Sequence, residues 1–169
     1  MKKWVIGAAV LLLFSAGCLL FGKLGGFNEI EMELISPLDL EIQGLYYRGT
    51  PQDEGLGKVF EKAGGIAKSL EVPLYTIYYI EPAGKLDTME VFVGVASDVQ
   101  GNAFESRKFQ SDKAVLAKII GHRFVMPGPN KVKKQIADFA KQSGESSPTV
   151  FIDKIISSDE VHVIGLLEE

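Results

Sequence analysis

The sequence LYTIYYIEPAGKLDTMEVFVGVA, residues 74–96, has the pattern of a β-hairpin. Leu74 to Glu81 is rich in β-branched and aromatic residues, which favour strands. Pro82-Ala83-Gly84 supplies turn residues, and Met89 to Ala96 returns to the strand composition. The stretch therefore predicts two antiparallel strands that lie side by side in one sheet.

A helix is predicted immediately before this hairpin. Thr50 is expected to cap it, Pro51 suits the first helical position, and apolar residues recur at three- and four-residue spacing from Leu56 to Leu70. Upstream, alternation over 29–35 and strand-forming residues over 38–48 predict two strands. The first half thus orders strand, helix, strand, strand after a short leading strand.

The same order recurs in the second half. It is predicted as a strand over 114–123, a helix opened by Pro127 to Asn130, and strands over 149–156 and 161–167. One face of that helix carries Val132, Ile136, Phe139 and Ala140. Val93-Gly94-Val95 and Ile164-Gly165-Leu166 match each other in sequence, and the polar stretch 97–106 is interpreted as a linker.

These elements predict an α+β fold. It comprises two pseudo-symmetric βαββ repeats, about 38–97 and 107–168, with a joined antiparallel sheet and two main helices, preceded by one transmembrane helix. One helix barely covers the sheet of one repeat, so the pairing of two repeats completes the core. The groove where the repeats meet is a typical position for a ligand.

Residues 4–22, WVIGAAVLLLFSAGCLLFG, contain no charged side chain. Nineteen residues in a helix span roughly 28 Å, close to the thickness of the bilayer core. The chain is therefore divided into a cytoplasmic start (1–3), a transmembrane helix or lipoprotein signal (4–22), a tether (23–28) and a folded domain (29–169).

The charges around this segment predict its orientation. Lys2 and Lys3 precede it, so the amino terminus is expected inside and the domain outside the cytoplasm of a bacterial cell, as a single-pass inner-membrane protein. A lipoprotein anchored at Cys18 is one alternative, because Phe14 to Cys18 is similar to a lipobox. A cleaved signal ending near Ser15-Ala16-Gly17 is the other.

Composition argues against several functions. The net charge is −4 and no basic stripe is present, so nucleic acid is not expected as a partner. His122 and His162 are the only histidines and belong to no Cys/His cluster, so neither a metal site nor a cofactor is predicted. No G-x-S-x-G motif of a serine hydrolase occurs.

The tyrosines are the first candidates for a binding site. All five lie in two predicted strands that are expected to be neighbours: Tyr46, Tyr47, Tyr75, Tyr78 and Tyr79. Such rings can stack on a planar or cationic ligand. Ordinary sheet packing is the alternative, because tyrosine suits strands and alternation sends rings to both faces.

Three stretches carry a family resemblance. LYYRGT (45–50), IYYIEP (77–82) and VFVGV (91–95), in this order around the predicted helix, resemble the GyrI-like family. That family includes effector-binding domains of some AraC- and MerR-type regulators. The similarity extends through the second half and covers about residues 38–168.

The resemblance implies a duplicated βαββ fold whose central cleft binds amphipathic, often cationic compounds between aromatic rings and a buried carboxylate. At the position of the family's glutamate this chain has Phe151, and Asp153 lies two residues on, facing the same way in a strand. The family's pocket tryptophan has no counterpart, since Trp4 lies outside the domain. The ligand-binding residues are therefore predicted to be Tyr46, Tyr47, Tyr78, Tyr79, Phe92, Phe151 and Asp153.

The sequence and the resemblance leave three alternative functions. The first is a membrane-tethered, non-catalytic domain that binds a small amphipathic molecule between the repeats. The second is a protein-interaction module whose cleft is filled by its own side chains. The third is a hydrolase of strained electrophiles, an activity known in the GyrI-like family, with Tyr79 and either Glu81 or Asp153 as the reacting groups.

Overall fold

The computed structural model describes residues 2–97, 99 and 104–167. In this part of the chain, three helices and eight strands are present. In chain order they are α1 (Lys2–Lys23), β1 (Glu31–Ile35), β2 (Leu38–Gly49), α2 (Glu54–Leu70), β3 (Leu74–Ile80), β4 (Met89–Val95), β5 (Glu105–Ser111), β6 (Ala114–Ile120), α3 (Pro129–Gln142), β7 (Val150–Ser157) and β8 (Glu160–Leu166).

All eight strands belong to one antiparallel sheet, ordered β1-β6-β8-β7-β3-β4-β2-β5. Strands β3 and β7 pair at its centre. From there the order is β4 then β2 on one side, and β8 then β6 on the other, so β2-α2-β3-β4 and β6-α3-β7-β8 are arranged equivalently. The predicted α+β class, with a joined antiparallel sheet and two main helices, is confirmed.

The two edge strands exchange between the halves. Strand β1 pairs with β6, although it precedes β2 in the chain. Strand β5 pairs with β2, although it precedes β6. The interpretation of 97–106 as a linker is therefore wrong at its end, because residues 105 and 106 already belong to β5.

Helix α2 begins later than predicted. Its N-cap is Asp53, whose carboxylate accepts a hydrogen bond of 2.7 Å from the backbone N–H of Gly55. Thr50 instead belongs to the preceding turn, where its carbonyl accepts from the Tyr47 hydroxyl at 3.0 Å. A carboxylate is at least as good an N-cap as a hydroxyl, so the choice of Asp53 is consistent with capping chemistry.

Helix α3 matches the prediction closely. Pro129 is its first residue, where a missing N–H costs no intrahelical hydrogen bond. Val132, Ile136 and Ala140 are buried on one face, as the spacing indicated. Gly144, just beyond the helix, has a φ of +79°, a conformation that favours glycine.

Both helices pack on the same face of the sheet, which we call the helix face. Helix α2 covers Val91 and Val93 of β4, and α3 covers Ala117 of β6 and Val163 of β8. Strand register joins these residues in one row, and paired residues share a face. The opposite, curled face is closed by the sheet itself, because side chains of β2 and β5 pack there against those of β6, β7 and β8.

The first helix, α1, requires a correction. Among the described residues, no helix is long and apolar enough to cross a membrane. This finding contradicts the predicted inner-membrane location, with a single span at 4–22 or a lipoprotein anchor at Cys18. The segment after α1 is held against the domain, since the backbone N–H of His122 donates to the carbonyl of Leu24 at 2.7 Å.

Candidate ligand-binding site

One row of paired residues crosses the helix face from β1 to β2. It runs Met32, Ala117, Val163, Asp153, Thr76, Val93, Leu45. The row is apolar except at its centre, where Asp153 of β7 faces Thr76 of β3. This polar pair therefore lies between the part of the sheet covered by α2 and the part covered by α3.

Asp153 is partly buried and lies opposite the buried Thr76 in the strand pair. Burial raises the pKa of Asp153 above its ordinary value, and the nearby charge of Glu81 adds to the rise. The charge of Lys133 and the hydroxyl of Thr76 lower the pKa of Asp153 and so act in the opposite direction. A carboxyl group with a raised pKa in a cleft is a common feature of functional sites.

Two predicted rings flank this pair on the same face. Tyr78 lies two residues after Thr76, and Phe151 lies two residues before Asp153. Burial raises the pKa of the Tyr78 phenol, with further contributions from Asp153 and Glu81, so this ring stays neutral at physiological pH. The structure thus brings three predicted site residues together: Tyr78, Phe151 and Asp153.

The ammonium group of Lys133 on α3 already interacts with this group of residues. It forms an ion pair with Glu81 and lies 5.1 Å from the centre of the Phe151 ring. Cation–π contact is favourable at this distance. A positive charge, an aromatic face and carboxylates are therefore combined here within the protein itself.

A small cavity of about 110 Å³ adjoins Asp153. We call it the Asp153 cavity. Apart from Asp153 and Lys133 its walls are apolar, and they are formed by Ile119, Met126, Pro127, Pro129, Val132, Val161 and Val163. A ligand group that enters would meet one carboxylate in otherwise apolar surroundings.

None of the predicted rings is among the residues that line this cavity. Tyr47 lies on the helix face but packs into the core under α2. Tyr46, Tyr79 and Phe92 lie on the curled face, where their ring centres are 5.1, 5.1 and 4.5 Å from the guanidinium carbon of Arg107. The predicted site is thus divided between the two faces.

The physical reason is strand order and alternation. Strands β2 and β3 are not neighbours, because β4 lies between them, so the tyrosines do not form one wall. Tyr79 and Asp153 lie on opposite faces, and the structure does not bring this proposed hydrolytic pair together. Sequence reasoning missed Arg107 and Lys133; the alternation of Arg107 with Phe109 in a polar stretch was the available signal.

Comparisons with known proteins give fold similarity without sequence similarity. No protein-family model matches the chain, and no curated protein matches it. An uncharacterized conserved protein from Listeria innocua has a TM-score of 0.59 at 9% identity, covering 82% of this chain and 92% of that one. A hydrolase from Listeria innocua gives 0.57 at 10% identity, with the same coverage.

EcmrR is similar as well. Its structure in a DNA complex has a TM-score of 0.58 at 10% identity and covers 99% of this chain and 68% of that one. At such identities the likeness establishes a shared fold, found both in a protein described as a hydrolase and in a DNA-bound protein. It gives no support to the predicted exclusion of nucleic acid as a partner.

Proposed function

We propose that this chain is a GyrI-like, non-catalytic binding domain for a small amphipathic molecule that carries a positive charge. The domain spans 29–169, with repeats at about 38–97 and 107–168. The ligand lies between α2 and α3, over the central strands β3 and β7. Its contacts come from Tyr78, Phe151 and Asp153, with Tyr47 supporting the sheet beneath α2.

The observation that supports this proposal is the polar pair in an apolar row. A partly buried carboxylate is costly to ionise unless a cation or hydrogen-bond donors compensate for lost water. The hydroxyl of Thr76 and the charge of Lys133 favour the ionised form of Asp153, but Lys133 is already paired with Glu81. A ligand cation at Asp153 would supply the compensation that the protein provides only in part.

The residues around Asp153 indicate the chemistry of the rest of the ligand. The Asp153 cavity is otherwise apolar, so the part of the ligand next to the cation should be hydrocarbon. Tyr78 and Phe151 offer ring faces on the same side of the sheet. An aralkyl or alkyl ammonium compound combines these features.

Binding of benzylammonium, compared with neutral benzyl alcohol, tests the proposal. Isothermal titration of the full chain should give at least roughly tenfold tighter binding for the cation, as expected for one charge-assisted hydrogen bond. The preference should disappear in Asp153→Asn and persist in Asp138→Asn, which removes a carboxylate paired with Lys134 on α3. Equal affinities for the two probes in the unmodified chain would contradict the proposal.

The protein-interaction module is the second candidate, because Lys133 and Phe151 fill part of the cleft. A Lys133→Met variant separates the two functions. If the ammonium of Lys133 occupies the place of a ligand cation, benzylammonium should bind this variant more tightly than the unmodified chain. If neither protein binds benzylammonium, the cleft is closed to small cations and the interaction module is favoured.

A further inference from the structure

A larger cavity, about 520 Å³ in volume, lies away from the central strands. We call it the Lys131 cavity. It is enclosed by the segment between α1 and β1, the end of β6 and one side of α3. This volume is within the range of small-molecule sites. Its shared wall with the Asp153 cavity consists of Ile119, Met126 and Pro127, while Asp153 belongs only to the smaller one.

The wall formed by the chain after α1 is fixed by specific contacts. Asn28 Nδ2 donates to the carbonyl of Ile120 at 2.8 Å, and Gly25 has a φ of +83°. A Cβ on Gly25 would lie 2.9 Å from the Cα of Gly121, so the two backbones approach closely. The cavity is therefore preformed, which lowers the cost of ordering on binding.

Two opposite charges line this cavity without pairing. They are Glu29, at the entrance to β1, and Lys131, in the first turn of α3. Within the described part of the chain, neither side chain has an ion-pair or hydrogen-bond partner, and the two are not within 4.0 Å of each other. Both reach solvent, so water compensates each charge separately.

Gln135 adds a polar group beside Lys131. It lies four residues later on α3, and residues at this spacing are neighbours on a helix surface. Its Oε1 atom is buried and has no hydrogen-bond partner among the described residues, and the residue lines the cavity. The protein thus leaves an amide acceptor unsatisfied beside Lys131.

We propose that the Lys131 cavity binds a small zwitterion of the amino-acid class with an apolar side chain. The ammonium group is directed to Glu29, and the carboxylate to Lys131; the unpaired Oε1 atom of Gln135 lies beside Lys131 and can accept a hydrogen bond from the ammonium group. The side chain packs against the apolar walls, which include Ile30, Met32 and Ile119. A molecule with one positive and one negative group can form an ion pair with each of these two side chains, which do not pair with each other.

Three related probes test this site in the full chain: L-phenylalanine, L-phenylalaninamide, which lacks the carboxylate, and N-acetyl-L-phenylalanine, which lacks the ammonium group. We expect saturable binding of phenylalanine, with each modified probe about tenfold weaker, the scale of one charge-assisted hydrogen bond. In ¹⁵N NMR titrations the amide signals of Gly25, Gly26 and Gly121 should shift, because these residues line the cavity.

Variants of the two charged residues test which group of the ligand each side chain binds. Lys131→Gln should weaken phenylalanine binding about tenfold and remove the difference between phenylalanine and its amide. Glu29→Gln should do the same for the difference between phenylalanine and its N-acetyl derivative. Lys134→Gln is the matched control, since Lys134 is paired with Asp138 at 2.6 Å and does not line the cavity. It should leave all three affinities unchanged.

Absence of saturable phenylalanine binding would overturn the proposal, as would probe preferences that persist in Lys131→Gln and Glu29→Gln. The Asp153→Asn variant distinguishes binding in the Lys131 cavity from the function proposed above. It should lose the preference for benzylammonium while retaining phenylalanine binding, so either site can fail without the other.

Discussion

Thr76 and Asp153 face each other across the central strand pair, where burial raises the pKa of the aspartate and the threonine hydroxyl opposes this rise. Each belongs to a different half of the chain. The pair therefore lies where the two halves join, and its carboxylate is two residues from Phe151, which occupies the position of the glutamate that the resemblance implied. This contact places a titratable group in the part of the sheet that neither helix fully covers.

The first prediction concerns stability and pH. The folded-state pKa of Asp153 is raised, so the folded protein binds the proton more tightly than the unfolded chain does. The stabilisation from protonation is complete below the ordinary pKa of 3.8 and is lost as pH rises through the higher folded-state pKa. Asp153→Asn should therefore raise the free energy of unfolding at pH 7 relative to the unmodified chain.

Urea denaturation at several pH values checks this sign. The advantage of Asp153→Asn should shrink as pH falls towards 3.8. Asp138→Asn should show the opposite trend, because the hydrogen bond from Lys134 lowers the pKa of Asp138 in the folded protein. The quantity to compare is the free energy of unfolding of Asp153→Asn minus that of the unmodified chain. A larger difference at pH 4 than at pH 7 would contradict the prediction.

The second prediction concerns two glycines inside α2. A Cβ added to Gly64 or Gly65 meets no atom of the described residues within 4 Å, so no close backbone contact there explains these glycines. Gly64→Ala and Gly65→Ala should each stabilise the protein by up to about 1 kcal/mol, since alanine loses less backbone entropy in a helix. Thermal and urea denaturation measure the change.

Gly25→Ala is the contrasting control. Its φ of +83° and its contact with Gly121 exclude a side chain, so destabilisation by more than about 1 kcal/mol is expected. If all three alanine variants shift stability in the same direction, backbone conformation is not the deciding factor.

The third prediction concerns the edge strand β5. Arg107 contacts the rings of Tyr46, Tyr79 and Phe92, and its guanidinium is 3.2 Å from Glu105. Arg107→Ala should cost about 1–2 kcal/mol, the scale of a partly desolvated cation–π interaction. Amide hydrogen exchange should accelerate most in β5, which lies at one edge of the sheet that the described residues form.

Lys108→Ala on the same strand provides the comparison. Its ammonium group makes an exposed ion pair of 3.4 Å with Asp39, and such pairs contribute about 0–1 kcal/mol. Equal exchange rates in the two variants would show that the ring contacts of Arg107 do not hold β5 in place.

The fourth prediction concerns the packing of α3 on the sheet. A Cβ on Gly165 would lie 2.9 Å from both the Ile136 Cγ2 and the Pro148 Cγ atoms. Gly165→Ala should therefore destabilise the protein by about 1–3 kcal/mol through overpacking. The double variant Gly165→Ala with Ile136→Leu should recover part of this loss in a urea titration, because leucine lacks the Cγ2 atom that the added Cβ would meet.

Gly165 also shows where pattern matching between the halves fails. Gly94 and Gly165 occupy matching tripeptides, yet Gly94 pairs with Tyr75 on the curled face and Gly165 pairs with Phe151 on the helix face. A shift of one residue moves a side chain to the other face of a sheet. Similar strand sequences therefore do not establish equivalent positions.

Patterns of neighbouring residues in the sequence determined several local elements of this fold. The apolar stripe of Val132, Ile136 and Ala140, the helix start at Pro129 and the hairpin of β3 and β4 follow from interactions within a few residues, so they could be predicted. The helix boundary at Asp53 was missed because two residues with capping side chains, Thr50 and Asp53, lie three residues apart, and the structure uses Asp53.

Only the tertiary structure decided which distant residues meet. The exchange of β1 and β5, the insertion of β4 between the tyrosine-bearing strands, and the joining of Thr76 to Asp153 all depend on strand pairs separated widely in sequence. Such pairings are selected by burial of the whole sheet rather than by local preference, because a strand of either half satisfies the backbone hydrogen bonds of an edge equally well. The kinds of residue in the site could thus be predicted from the sequence, whereas their division between the two faces of the sheet depends on the tertiary structure.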